Sequence, residues 1–405
     1  MIWKLAWRNI FRNKRRTYIT AASIALAVLT AASMRAIQKG AWDNMVDNVV
    51  KYYTGYAQIH ANGYWEDKTI DLSFAYDEQV SSLATSIASI DQVVPRIESF
   101  ALAAYGNKSN GTLVVGVDPI EEDNFTNLSD KVTQGAYLDP KDDGALVAEG
   151  LAEILNVGLG DTLTLLSQGY HGATAAGNYP IKGLVKFASP QLNRQMIYLS
   201  LDGASDFYDS QGLITSAAIN LNSPDQLELT TSLLKAQLDP KTYEIKDYRE
   251  MMPELMQAKE LDIVSGYITL AILYLIIAFG IFGTILMMVK ERTYEFGILL
   301  SIGMNRAKLG MTVWLETIFI GLLGACIGIL ISMPIVAWFS INPIRMTGEA
   351  ATAYEKFGVE PIFPAAFDIS IFLSQAFLVL IMTSILALYP IMTLQKLDPV
   401  QAMRA

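Results

Sequence analysis

The chain has 405 residues, of which 52% are hydrophobic and only 17% charged, with a formal net charge of −10 and one cysteine, Cys326. Charge well below the roughly 25% usual in soluble domains points to a membrane protein with a sizeable polar portion. A lone cysteine excludes an intrachain disulfide or thiolate metal cluster, and His60 and His171 lack metal-ligand spacing. The charge is unevenly spread: residues 41–264 hold 32 acids against 14 bases, a net −18, which makes nucleic acid a poor partner for that segment.

Residues 1–17 carry six Lys/Arg and no acid. Trp3, Ala6, Trp7, Ile10 and Phe11 follow i, i+3, i+4 spacing, with Lys4, Arg8 and Arg12 on another face, so an interfacial amphipathic helix is expected. An apolar run follows over residues 18–40, short and rich in Ala, Ser and Thr. A basic start, a modest apolar run and small residues also describe a signal peptide, but the patterned start favours a first span packed closely on another helix. Three stronger spans are expected at 263–289, 311–339 and 369–392, each long enough for about 20 apolar residues. Arg35 and Glu316 lie near span ends, and no Asp, Glu, Lys, Arg or His lies deep in a span, which argues against an ion pathway. Gly324 and Gly328 form a GxxxG pair that permits close helix contact, within the chain or across a dimer.

Residues 41–262 read as a mixed α/β domain. Strands are expected in "QVVPRIESFALAAYG", "GTLVVGVDP", "DTLTLLS", "NYPIKGLVKFA", "RQMIYLSL", "LITSAAINLN" and "YEIKDY". Helices are expected in "DEQVSSLATSIASI", "GALVAEGLAEILN" and "SPDQLELTTSLLKAQLD", the last with Ser223 as N-cap. Helix signals then run unbroken from Pro253 into the second span. Between two expected strands lies a glycine-rich loop, 167–180, either a flexible hairpin tip or a projecting contact arm around Tyr170, His171 and Gly172.

Lys/Arg bias places both termini, including the 393–405 tail, and the 290–310 loop in the cytoplasm. The large domain and the acidic 340–368 loop fall outside. In "KERTYEFGILLSIGMNRAKLG", Phe296, Leu299 and Leu300 form an apolar ridge on a short helix, and Gly303 is a natural left-handed terminator. Such a helix either docks a partner or lies on lipid. No GxxxxGK[ST] phosphate loop occurs in the sequence, and no catalytic set emerges, so the chain is expected to be non-catalytic.

The 290–310 loop, with Lys290, Glu291, Arg292, Glu295 and "GILLSIGMNRAK", and the tail "YPIMTLQKLDPVQAMRA" resemble the FtsX/MacB-type permeases of ABC transporters. The segments "LVAEGLAEILNVGLGDTLTLL" and "IKGLVKFASPQLNRQMIYLSLDGASDFY" resemble the lipoprotein-releasing LolC/LolE branch. The resemblance implies an α-helical membrane protein with four transmembrane helices and a large mixed α/β extracytoplasmic domain, a MacB-like periplasmic core. It implies a mechanotransmission permease in the bacterial inner membrane that moves lipoproteins toward a periplasmic carrier. A cytoplasmic ABC ATPase subunit would hold ATP-Mg, with no cofactor in this chain, and would grip Glu291, Arg292, Glu295, Phe296, Leu299, Leu300 and Gly303 on the coupling helix. A second permease subunit and membrane lipids would be the other partners. Acyl chains would enter near Met34, Ile37, Val264 and Ile268, and residues 170–172 fall where a LolC hook engages its carrier. Export of antibiotics or peptides, control of a periplasmic hydrolase, and a receptor with a ligand-binding ectodomain are the alternatives.

Overall fold

In lipid, backbone polar groups find no water, so apolar spans must satisfy them internally as helices. The structure, a computed structural model, describes residues 2–12, 14–187, 189–349, 351, 361–398 and 402. Among these residues, four helices are long and apolar enough to cross a bilayer. The chain divides into a helical unit, 1–43, 258–345 and 362–405, and an α/β unit, 44–257 and 346–361.

The helices that build the first unit are α1 (Ile2–Arg12), α2 (Lys14–Val49), α3 (Pro253–Glu291), α4 (Thr293–Ser301), α5 (Arg306–Ile341), α6 (Ile369–Leu386) and α7 (Leu388–Gln395). Helix α2 does not stop near residue 40 but continues to Val49. At 1.5 Å per residue it is about 54 Å long, against roughly 30 Å of hydrocarbon. Helix α3 likewise starts ten residues before the expected span, at Pro253, as one unbroken rod. The expected tail beyond Asp398 and the middle of the 340–368 connection lie largely outside the described residues.

The small residues of α2 serve helix packing. Ala21, Ile24, Ala25, Val28, Ala31, Ala32 and Ala36 are all buried. Opposite them, a Cβ on Gly324 would stand 2.7 Å from the Ile24 side chain, and one on Gly328 would stand 2.8 Å from that of Val28. The GxxxG pair is therefore used inside the chain, where it lets α5 and α2 approach closely. Helix α3 turns Gly266, Leu270, Tyr274, Ile281, Ile285 and Met288 inward, and the Tyr274 hydroxyl donates to Gln375 on α6.

The second unit is built on ten strands: β1 (Ala57–Ala61), β2 (Ile90–Tyr105), β3 (Lys108–Val117), β4 (Val132–Gly135), β5 (Ala145–Ala148), β6 (Thr162–Gln168), β7 (Thr174–Val185), β8 (Met196–Ser200), β9 (Ser216–Leu221) and β10 (Tyr243–Asp247). Strand β2 joins two lobes. Its first half pairs β9, which continues to β1 and β10 as an antiparallel sheet. Its second half enters a closed circuit of pairing, β2–β3–β8–β5–β7–β6 and back to β2. A closed circuit removes the free edges that strands otherwise expose. Most of the larger apolar cluster comes from this circuit and the helices Glu149–Leu155 and Leu201–Tyr208.

Three expectations need correction. "GALVAEGLAEILN" is not one helix: Ala145–Ala148 is β5, fully buried between two neighbours, and only Glu149–Leu155 is helical. "DEQVSSLATSIASI" contains only two single turns, Glu78–Ser81 and Leu83–Ser86. Ser223 makes no side-chain cap, because a 3-10 turn, Pro224–Gln226, precedes the helix Leu227–Gln237.

At the seam of the lobes, His60 on β1 is fully buried. Its Nδ1 lies 2.9 Å from the Thr215 carbonyl and therefore carries the proton, while the ring stacks on Tyr64 at 4.9 Å. Burial pushes its pKa down to about 4, despite the carbonyl. Below about pH 6.5 the unfolded chain takes a proton that the folded chain refuses, so stability is complete above that pH and falls toward pH 4. The loss from this group reaches about 3 kcal/mol. Thermal unfolding of the purified chain at pH 7 and at pH 4.5 should show the drop, and His60→Gln should shrink it.

Candidate functional site: the loop helix and its ion-pair network

Helix α4 is bounded by local chemistry at both ends. At its start the Thr293 hydroxyl donates to the Val289 carbonyl at 2.9 Å. At its end Gly303 takes φ +99°, the Gly303 amide bonds the Leu300 carbonyl, and the Met304 amide bonds that of Leu299. This paired arrangement is a Schellman cap, which a left-handed glycine permits without strain. Asn305 then caps α5 through the Ala307 amide at 2.8 Å.

The apolar ridge of α4 faces its own chain. Phe296 is fully buried among Met288, Leu309, Val313 and Leu394, and Leu299 and Leu300 pack partly buried on the same cluster. The expected docking ridge is thus shared with the chain's own bundle: Phe296 is wholly taken up by it, and Leu299 and Leu300 are half-buried. The stripe with helical spacing is the one that holds α4 to the bundle.

Charge reinforces this attachment. Arg292 is buried, and its Nη1 donates to Glu316 Oε2 on α5 at 2.7 Å. Glu316 is itself fully buried, with the Asn9 amide of α1 at 3.5 Å. The Nε of Arg292 donates to Glu295 Oε2 at 3.2 Å, and Arg12 of α1 bonds the same oxygen. Partial burial raises the Glu295 pKa, but the hydrogen bonds from Arg12 and Arg292 outweigh it and leave the carboxyl below its ordinary range. Arg306 donates to the carbonyls of Gln395 and Leu397 at 2.9 and 3.2 Å. One short loop is thus tied to α1, α5 and the end of α7. Arg292 and Glu295, expected to face an ATPase, are engaged inside the chain, whereas Glu291 is exposed. The large apolar groups this loop turns to solvent are Tyr294, 54% exposed, and Ile302, 79% exposed. They lie off the 296–299–300–303 stripe, and that position is the signal that identifies them.

The other expected sites fare differently. Met34 and Ile37 pack partly buried inside the bundle, while Val264 and Ile268 are 56% and 59% exposed, on the side of α3 away from its packed face. The 167–180 segment is a β-hairpin paired from Thr162–Pro180 to Gln168–Thr174. Only Gly169–Ala173 turns, and the His171 amide donates to Asp71 at 2.5 Å, so the tip lies on the domain rather than projecting from it. His171 and Gly172 take left-handed φ of 52° and 79°. No cluster of three or more His, Cys, Asp or Glu able to hold a metal occurs among the described residues.

Four spans, an α/β domain inserted after the first, and a patterned loop between the second and third define a polytopic membrane protein with a large ectodomain. Family comparison agrees: residues 17–237 match the MacB-like periplasmic core domain and residues 267–399 the FtsX-like permease C-terminal domain. The chain belongs to this family and is an ABC transporter permease of the MacB/LolC type, a membrane protein with a periplasmic domain. It is 22% identical to the lipoprotein-releasing system transmembrane protein LolC of Xylella fastidiosa (strain 9a5c), over 97% of this chain and 96% of that protein. It is 22% identical to LolC of Neisseria meningitidis serogroup B over 58% of each chain. It is also 22% identical to the macrolide export ATP-binding/permease protein MacB of Hahella chejuensis, over 84% of this chain and 52% of that protein. The chain thus spans about half the length of that MacB relative.

Breaking a buried pair from one side leaves a charge without its partner, which costs about 3–5 kcal/mol. Arg292→Met is therefore expected to lower the melting temperature of the detergent-purified chain sharply. Arg292→Met combined with Glu316→Met should recover much of that loss, and a double-mutant cycle on the two positions measures the coupling.

Proposed function

We propose that this chain is the transmembrane subunit of an ABC transporter working by mechanotransmission, with ATP-Mg held by a separate cytoplasmic ATPase. The observation that carries this reading is the bracing of α4: a nine-residue helix ended by a Schellman cap and tied by ion pairs and apolar packing to three other helices. A helix lying on lipid has no need of such bracing, whereas one that receives a push must pass it on. The grip falls on the outward groups, Tyr294, Ile302 and Glu291, around the Gly303 turn, while Phe296, Leu299 and Leu300 transmit it inward. Both termini and this loop then lie in the cytoplasm of a bacterial inner membrane, as the Lys/Arg bias favours. A second permease subunit, identical or homologous, completes the pair.

The cargo we propose is lipoprotein, extracted from the inner membrane toward a periplasmic carrier. The near full-length likeness to a lipoprotein-releasing protein supports this. Macrolide export is the second reading, supported by a match of equal identity to a macrolide export protein. Mass spectrometry of the purified complex separates the two, through bound triacylated protein or a bound macrolide.

Co-purification from membranes tests the docking. Tyr294→Glu with Ile302→Glu should cut ATPase recovery at least about tenfold, the effect of placing charges in a desolvated contact, while the melting temperature stays unchanged. Phe296→Ala should instead lower the melting temperature, by removing an internal anchor worth about 3–5 kcal/mol. Undiminished ATPase recovery with the doubly charged variant would overturn the docking surface.

A further inference from the structure

The α/β unit holds a cavity of about 590 Å³ that no part of the transport reading uses. That volume lies within the range of small-molecule sites, roughly 300–1,000 Å³. Residues opposite one another on paired strands share a face, as do alternate residues along one strand. Phe100 on β2 stands opposite Leu113 on β3, and Leu113 opposite Met196 on β8, so these three form one row of the cavity wall. Met45, Met251 and Met252 line it from other segments. Unbranched, polarisable thioethers adapt to a flexible ligand.

The apolar surface continues beyond the cavity. Leu102 follows Phe100 on the same face of β2, and Leu166 stands opposite Leu102 on β6. Phe100 is 54% exposed, and Leu102 and Leu166 are 43% exposed each. An exposed apolar strip that runs on from a cavity marks a contact site. Its narrow, extended form suits an aliphatic chain better than a compact ring.

The charges of the wall favour no ion. Glu98 is closed to the cavity: its Oε2 accepts the Tyr53 hydroxyl at 3.1 Å, and its Oε1 faces Arg96 Nη1 at 3.6 Å. It therefore offers nothing to a cation, which the Lys68 ammonium on the same wall would repel. An anion would meet Glu98 and the exposed Glu254, which also line the cavity. What remains is a donor. The half-buried Lys68 lays its ammonium over the Trp65 ring, 3.0 Å from the centroid, and among the described residues no oxygen accepts a hydrogen bond from it. Burial lowers its pKa to about 8, the nearby Glu98 and Glu244 notwithstanding. Such a group carries three donors, and an uncharged carbonyl satisfies one without bringing a further charge.

We propose that the cavity and its strip bind a long-chain acyl amphiphile with an uncharged head, whose ester or amide carbonyl accepts from Lys68 Nζ and whose chain lies on the methionines and the Phe100–Leu102–Leu166 strip. The inference does not depend on the docking of an ATPase or on the cargo proposed above.

The test irradiates the full chain in phosphatidylcholine nanodiscs with three probes that share one diazirine-bearing chain: a monoacylglycerol, an alkylsulfonate and an alkyltrimethylammonium. Mass spectrometry reads label on the peptides that carry Met196 and Leu102. Label on α6, a span in the same bilayer, corrects for partition. Saturable label is expected from the monoacylglycerol, several-fold above either ion. Lys68→Met, which keeps the stem and removes the donors, should raise the half-saturating concentration about tenfold, as loss of a charge-assisted hydrogen bond requires, and Lys68→Arg should restore it. Leu192→Trp, which fills the cavity, should remove the Met196 label. Phe100→Asp, at an exposed position, should cut the Leu102 label while the melting temperature stays within a few degrees. Stronger label from either ion, or unchanged half-saturation in the Lys68→Met chain, would overturn the proposed head recognition. Label that does not saturate in the unaltered chain, or that survives both Leu192→Trp and Phe100→Asp, would overturn the site.

Discussion

A carboxylate shut away from solvent constrains everything around it. Glu316 on α5 has no exposure, so an unpaired charge there would be prohibitive, and Arg292 answers it at 2.7 Å. For Arg292 to reach that point, the chain leaving α3 must turn immediately, which sets where α4 begins. Once α4 starts there, helical spacing aims Phe296 into the cluster formed by Met288, Leu309, Val313 and Leu394. Glu295, one turn from Arg292, meets Arg12, which in turn fixes α1. A buried pair of this kind adds little net stability over apolar residues of similar size, but it excludes other placements of the loop. Under the proposed mechanism placement matters more than stability, because a loop that drifts on the bundle surface would not deliver force to it.

The apolar part of the helical unit follows a different rule. Lipid supplies no hydrophobic drive between helices, so association rests on close packing. The run of alanines on α2 and the pair Gly324 and Gly328 on α5 provide it, with side chains under 3 Å from where a Cβ would sit. The same small residues that make the first span look feeble by hydropathy make it the most enclosed of the four. Ala and Gly there mark contact between helices and not weakness of the span.

What could be read from the sequence depended on whether one physical requirement had one possible answer. Apolar length has one answer in a membrane protein, and the four spans followed from it. Gly303 at the end of a short helix and the unbroken helical signals after Pro253 were equally direct. The ridge 296–299–300 was ambiguous, because an apolar stripe requires only an apolar partner, and periodicity does not say whether that partner is the same chain. Ala145–Ala148 could be helix or strand until its two neighbours were known, since a short run buried on both sides lacks alternation. The glycines of 167–180 suggested a loop, but alternating backbone pairing carries the strands to within five residues of each other. The ion pair Arg12–Glu295 joins residues 283 apart and leaves no local trace.

The long helices explain how a push at α4 would be carried under the proposed mechanism. Beyond their apolar contact, α2 and α3 are clasped by polar groups. Gln38 donates to the carbonyl and the carboxylate of Asp262 at 2.8 Å, Trp42 Nε1 reaches the same carboxylate at 2.7 Å, and Arg35 lies over the Tyr267 ring at 4.7 Å. Gly266 makes room for this, since a Cβ there would come within 2.5 Å of Gln38. To slide α3 along α2 would break several of these bonds at once, whereas to tilt the two together would break none. Displacement of α4, which follows α3 after a single residue, would therefore move the two rods as one body. The clasp holds them in register just where they run past the length a bilayer needs.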